Sequence, residues 1–172
     1  SLTINCSQDL VVDNALTSSD TTGVSAVNLN VTRNVFIGDG AQSAASGVTT
    51  ASAPVAITAG GSFNMYGGSI ANTSATIFTN GAGGTTINAS NGLTLQGGAG
   101  TDSSQLGVSH TILSAGTTCS ALIGTLTGNL VANVLGGTGS LFGELLYFAG
   151  HHGKSLACFA GGRGLDCGIQ RK

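Results

Sequence analysis

Residues 85–98 read TTINASNGLTLQGG. An aliphatic residue stands beside an asparagine, small and polar residues follow, and Leu-x-Leu runs into a glycine pair. Three other stretches share this layout: LTINCSQDLVVDN at 2–14, VNLNVTRNVFIGDG at 27–40 and VAITAGGSFNMYGG at 55–68. Aligned on Ile4, Leu29, Ile57 and Ile87, the next residue is Asn5, Asn30, Thr58 or Asn88. Six places after the anchor come Leu10, Val35, Phe63 and Leu93, and eight places after come Val12, Ile37, Met65 and Leu95. A turn follows each time: Asp13-Asn14, Gly38-Asp39-Gly40, Gly67-Gly68 and Gly97-Gly98. The anchors lie 25, 28 and 30 residues apart, and a looser fifth unit is expected from Ile112, with Ala121 and Ile123 nearby.

Each unit alternates apolar and polar residues on both sides of a short turn, the pattern of two half-buried strands. One unit cannot bury its own apolar face, but a stack of them closes a continuous core. The spacing therefore predicts an all-β parallel β-helix, a solenoid gaining about 4.8 Å per coil. A β-sandwich or jelly roll with look-alike hairpins is the alternative.

Composition agrees. The chain has 172 residues, with 29 Gly, one Pro and 41% hydrophobic residues. Gly serves turns, and the β-branched residues serve strands. Five basic and seven acidic residues leave a net charge of −2. No basic stripe is present to neutralise phosphates, so no nucleic-acid partner is expected. An anionic membrane surface would likewise need clustered Lys and Arg.

The segments VAITAGGSFNMYGGSI and TTINASNGLTLQGG resemble the repeats of right-handed parallel β-helix adhesins, the filamentous haemagglutinin and autotransporter passenger type. The resemblance covers about residues 2–100; the units here are longer and less even. It implies an extracellular or cell-surface structural or adhesive role, and no catalytic residue.

Residues 1–119 are read as solenoid repeats and 120–172 as Gly-rich, Cys-containing strands and a C-terminal cap. From Ser103 to Gly143 no residue is formally charged. The run ALIGTLTGNLVANVLGGTGSLFG still makes a poor membrane span, because Thr125, Thr127, Asn129, Asn133 and six glycines interrupt it. ALIGTL and NLVANVL read as strands. SLFGELLYFAG reads as a short helix, with Leu141, Phe142, Leu145 and Phe148 on one side. Residues 140–172 are expected to cover an end of the solenoid.

Cys158 and Cys167 bracket the loop FAGGRGLD and are the expected disulfide, with Cys6 and Cys119 as further candidates; four buried thiols are the alternative. No Cys-x-x-Cys pair occurs, so no metal site or cofactor is expected. Residues 1–20 carry no basic start or long apolar run, so no signal peptide is expected there. Four Asn-x-Ser/Thr sequons occur at Asn5, Asn30, Asn72 and Asn88. Three hold the same repeat position. They are glycan sites along one edge of the rod, or a ladder of stacked amides buried between coils. Asn72, between units, is the best glycan candidate.

No enzyme is expected. The acids Asp9, Asp13, Asp20, Asp39, Asp102, Glu144 and Asp166 form no evident pair for glycoside hydrolysis. His151-His152-Gly153-Lys154 reads as an exposed loop, and Ser109-His110 lacks a third partner. Thr is too scattered for the outward Thr ranks an ice-binding solenoid needs.

The reading is an extracellular structural or adhesive protein that self-assembles. The first strand region, with Leu2, Ile4, Leu10 and Val12, is uncharged until Asp9 and begins in strand-like sequence. It is expected to pair with another copy head to tail, giving a filament. Host-surface or matrix glycans are possible partners. The alternative is a β-helix that binds or cleaves polysaccharide, or a jelly-roll subunit donating this strand to a neighbour.

Overall fold

A computed structural model describes residues 1–41, 44–70, 73–97, 103–108, 121–136, 138–142 and 144–145; for 103–108 and the strands beyond 137 it gives backbone pairing alone. The fold is an all-β parallel β-helix with three sheets. Coil 1 comprises β1 (Leu2–Cys6), β2 (Leu10–Val12) and β3 (Ala15–Ser18). Coil 2 comprises β4 (Val27–Val31), β5 (Val35–Ile37) and β6 (Ser46–Thr50), and coil 3 comprises β7 (Val55–Ala59), β8 (Ser62–Tyr66) and β9 (Ala75–Thr79). Coil 4 starts with β10 (Thr85–Ala89) and β11 (Gly92–Gln96).

The register matches the sequence repeat residue for residue. In sheet 1, Ile4, Leu29, Ile57 and Ile87 are consecutive partners. In sheet 2, Leu10, Val35, Phe63 and Leu93 are partners, as are Val12, Ile37, Met65 and Leu95. From coil 2 upwards every one of these side chains is fully buried. The alternation works because the outer faces meet water while the inner faces share one core.

The third sheet is less regular. Its partners run Leu16, Val48, Ile77 and Ile123, the last in β13 (Ala121–Thr125). β12 (Ser103–Val108) precedes β13 in sequence but lies one layer beyond it. That layer also holds β14 (Leu130–Val134) on β10 and β15 (Thr138–Phe142) on β11. A two-residue β16 (Glu144–Leu145) pairs with β12.

Two sequence expectations are corrected. The fifth coil takes β14 as its first strand, with Ala132 opposite Ile87, rather than a unit opening at Ile112; residue 112 lies outside the described residues. Residues 138–142 form strand β15 and not the start of a helix. Leu141 there is the strand partner of Leu95. Pairing with β11 takes up the backbone groups on one side of this segment, and Gly139 and Gly143 weaken any helix. Phe148 lies outside the described residues. Among the described residues, no helix is long and apolar enough to cross a membrane.

The corner between sheets 3 and 1 is fastened by buried hydroxyls. The Thr50 hydroxyl donates to the Ala53 carbonyl at 2.6 Å, and Thr125 Oγ1 accepts from the Gly128 N–H at 3.0 Å. The Thr79 and Thr85 hydroxyls are 3.2 Å apart. Ending β6 and β13 in Thr thus supplies a local partner for buried turn backbone, while the Thr that ends β9 pairs with the Thr that opens β10.

Candidate functional site

Coil 1 is the outermost described coil at one end, and its three strands have neighbours on one side only. Leu2 N–H donates to Ala26 O at 2.8 Å, and Thr32 N–H donates to Cys6 O at 2.9 Å. In a parallel ladder the N–H and C=O of one residue point the same way, and successive residues point to opposite edges. Leu2, Ile4 and Cys6 therefore face coil 2. Thr3 and Asn5 direct their backbone groups to the open side. By the same logic Val11 does so in β2, because Leu10 N–H donates to Asn34 O and Gly38 N–H to Val12 O, each at 2.9 Å.

The apolar side chains of coil 1 are only partly covered. Leu2 is 41% exposed, and Ile4, Cys6, Leu10 and Leu16 are half-buried against the core. Val12 is buried. The four residues assigned from sequence to an assembly strand thus occupy two edge strands, β1 and β2, of different sheets. Leu16, which completes the same apolar end, was missed. Its signal is the ALTS stretch, too short to be recognised without the third sheet.

The sequon asparagines stand on the outer face of sheet 1, and not buried between coils. Asn5, Asn30, Thr58, Asn88 and Asn133 are successive partners. Asn30 Nδ2 donates to Asn5 Oδ1 at 3.0 Å, and Asn133 Nδ2 donates to Asn88 Oδ1 at 2.8 Å. Asn5 and Asn30 are exposed, whereas Asn88 and Asn133 are half-buried. An outward position follows from strand alternation: the anchors beside them point inwards. Asn5, Ser7, Asn30, Thr32 and Thr58 line a shallow, uncharged groove together with Cys6 and Val31. Asn72 lies outside the described residues.

The turn beside this groove carries a second amide arrangement. Asp9 Oδ1 accepts from both the backbone N–H and Nδ2 of Asn34, each at 3.0 Å. Asn34 Oδ1 in turn accepts from Ser62 N–H at 2.9 Å. Gly61 completes the stack, since a Cβ there would lie 2.4 Å from Asn34 Oδ1. Arg33 Nε lies 3.5 Å from Asp9 Oδ1, and its Nη1 donates to Gln8 Oε1 at 2.8 Å. This ion pair is exposed and adds little to stability.

The acids are dispersed by role. Burial, and then the nearby Asp39 charge, raises the Asp13 carboxyl above its ordinary value. Asp20 is lowered to about 2, first by the Thr22 hydroxyl and then by the backbone N–H groups of Ser25 and Thr22. Among the described residues no group of three His, Cys, Asp or Glu is arranged to hold a metal ion. Cys6 is a half-buried thiol directed at the carbonyls of Gln8 and Asp9. Cys119, Cys158 and Cys167 lie outside the described residues, as do Asp102, Asp166, Ser109, His110, His151 and His152.

Comparison with protein-family models, with curated proteins and with solved structures gives no match. The class, a parallel β-helix, therefore rests on the strand register itself.

Proposed function

We propose that the chain is a structural or adhesive subunit of an extracellular surface that assembles with other copies end to end. The observation that carries this is the edge of coil 1. Within residues 1–172 it combines backbone groups of Thr3, Asn5 and Val11 that point away from coil 2, with no partner strand among the described residues, with the partly uncovered side chains of Leu2, Ile4, Leu10 and Leu16. Such an edge is a template for another strand unless charge or proline blocks it. β1 has neither. The repeat's resemblance to β-helix adhesins and the low charge support the extracellular setting. Light scattering and electron microscopy of the chain test the assembly, and a monomer at high concentration overturns it. Labelling of intact producing cells with a membrane-impermeant reagent tests the location.

A second reading is favoured by one observation, the uncharged groove of Asn5, Ser7, Asn30, Thr32 and Thr58. Amides and hydroxyls supply the donors and acceptors that a neutral glycan presents in return. Binding to a glycan array that is lost in Asn30→Ala supports this reading; no binding at millimolar oligosaccharide removes it.

A further inference from the structure

Asn-Gly occurs twice in the chain, at Asn80-Gly81 and Asn91-Gly92. Of all asparagine contexts this one loses its side-chain amide most readily, because glycine has no Cβ to shield its backbone nitrogen. The fold treats the two pairs differently. Gly92 is buried and opens β11, which is paired on both sides, with β8 and β15. Asn91 N–H donates to Gly61 O at 3.1 Å, so the backbone there is pinned. Asn80 stands just past Thr79, the last residue of β9, and is exposed. Its own N–H donates to Thr50 O at 2.9 Å. Among the described residues, neither its carboxamide nor the Gly81 N–H has a hydrogen-bond partner.

Packing fixes the glycine of this pair. A Cβ on Gly81 would collide with Ser52 Oγ and lie 2.8 Å from the Ala51 carbonyl oxygen, in the turn one layer below. Packing does not fix the asparagine. Ser18, Thr50, Thr79 and Thr125 are successive partners, and the residues after them are Ser19, Ala51, Asn80 and Leu126. The side chain at this position is free to vary, and only in Asn80 does it carry an amide.

We propose that Asn80-Gly81 is a site of self-modification, where the chain converts asparagine to an aspartyl or isoaspartyl residue with water as the only co-reactant. The Gly81 nitrogen gives up its proton and attacks Asn80 Cγ. The N–Cγ bond forms, the Cγ–Nδ2 bond breaks, and Nδ2 leaves as ammonia with that proton. Water then opens the five-membered imide at one of its two carbonyls. Opening at Cγ gives aspartate. Opening at the main-chain carbonyl leaves Gly81 joined through Cγ, with one more methylene in the main chain and a new carboxylate. The reaction needs no partner chain, so it is independent of any assembly through coil 1.

The consequence falls on the corner between sheets 3 and 1. The turn into β14 is stacked on this one: Leu126 N–H donates to Thr79 O at 2.9 Å, and Thr85 N–H donates to Asn129 O at 2.8 Å. A Cβ on Gly128 would lie 2.6 Å from Gly84 N, so the two turns are in close register. A main chain lengthened between Thr79 and Thr85 no longer matches the stretch from Leu126 to Asn129. The isoaspartyl form should therefore loosen this corner first.

Incubation of the folded chain at mildly alkaline pH, with tandem mass spectrometry of peptic peptides at intervals, tests the proposal. Residue 80 should exchange NH2 for OH several-fold faster than residue 91, with both aspartyl and isoaspartyl products. In denaturant the two pairs should react at equal rates, which makes the fold the cause of the difference. Asn80→Ser, matching Ser19 of coil 1, should abolish the product at residue 80 and leave the circular dichroism unchanged. Hydrogen exchange of the aged chain should show lost protection at Thr85 and Leu126 while Ile57 stays protected. Equal rates at residues 80 and 91 in the folded chain, or a residue 80 that stays asparagine, overturn the proposal. Unchanged protection at Thr85 and Leu126 in the isoaspartyl form overturns the loosening of the corner.

Discussion

Ile57 and Ile87 are direct partners on neighbouring strands of sheet 1, and both are fully buried. With Leu29 below and Ala132 above they form one column through four coils. Truncating Ile57 leaves a cavity bounded above and below by strands whose spacing hydrogen bonds hold fixed, so collapse is limited. Ile57→Ala should therefore cost about 2–5 kcal/mol in chemical denaturation. A cost near zero would mean that the column is not packed as described.

A second column has the opposite lesson. Ser46, Ala75 and Ala121 are successive inward partners in sheet 3. The Ser46 hydroxyl is buried and has no hydrogen-bond partner among the described residues. A buried unpaired hydroxyl carries a desolvation cost of about 1–3 kcal/mol. Ser46→Ala matches the alanines above it and should raise stability by about 1 kcal/mol. A loss of stability on denaturant titration would show that the hydroxyl has a partner after all.

Gly47, beside it, has φ of 130°. A Cβ there would lie 1.8 Å from the Thr76 carbonyl oxygen, a backbone atom that cannot step aside. Gly47→Ala should thus cost about 3 kcal/mol or more, since the backbone conformation alone accounts for about 1–3 kcal/mol. The expected sign is a marked fall in melting temperature, and a neutral substitution would refute the local geometry.

The sequence makes sheets 1 and 2 legible because their connection is constant. Leu10, Val35, Phe63 and Leu93 each lie six places after an anchor, so the two strands move together in any alignment. Sheet 3 is hidden because its distance varies. Leu16, Val48, Ile77 and Ile123 fall four, eleven, twelve and twenty-eight residues after the last inward residue of sheet 2. No fixed-period search finds a column with that spacing, and the out-of-order β12 obscures it further. The outward amide rank was half legible. Identity of position indicated a ladder, but strand alternation, which places the neighbours of inward anchors outside, decides that it faces solvent.

The Asn rank should contribute modestly. Asn30 Nδ2 donates to Asn5 Oδ1 on an exposed face, where water competes for both groups. Asn30→Ala is expected to cost about 0.5–1.5 kcal/mol, well below Ile57→Ala. A larger loss would require the ladder to hold the coils together in its own right.

Asp20 anchors the turn between β3 and β4. Its Oδ1 accepts from the Thr22 N–H at 2.8 Å and the Thr22 hydroxyl at 2.6 Å, and its Oδ2 accepts from Ser25 N–H at 2.8 Å. These donors favour the ionised form and lower its pKa from 3.8 to about 2. The folded value lies below the unfolded one. The contribution is therefore fully present above the unfolded pKa and is lost as pH falls through the folded pKa. At neutral pH it is intact; between about pH 4 and pH 2 it fades. Carbon-13 NMR titration of the Asp20 carboxyl should show a midpoint near 2. Thr22→Val removes the hydroxyl, the largest of the lowering interactions, and should move that midpoint upward toward 3.8 without unfolding the coil. A midpoint already near 3.8 in the parent chain would mean that the turn is not closed on Asp20 in solution.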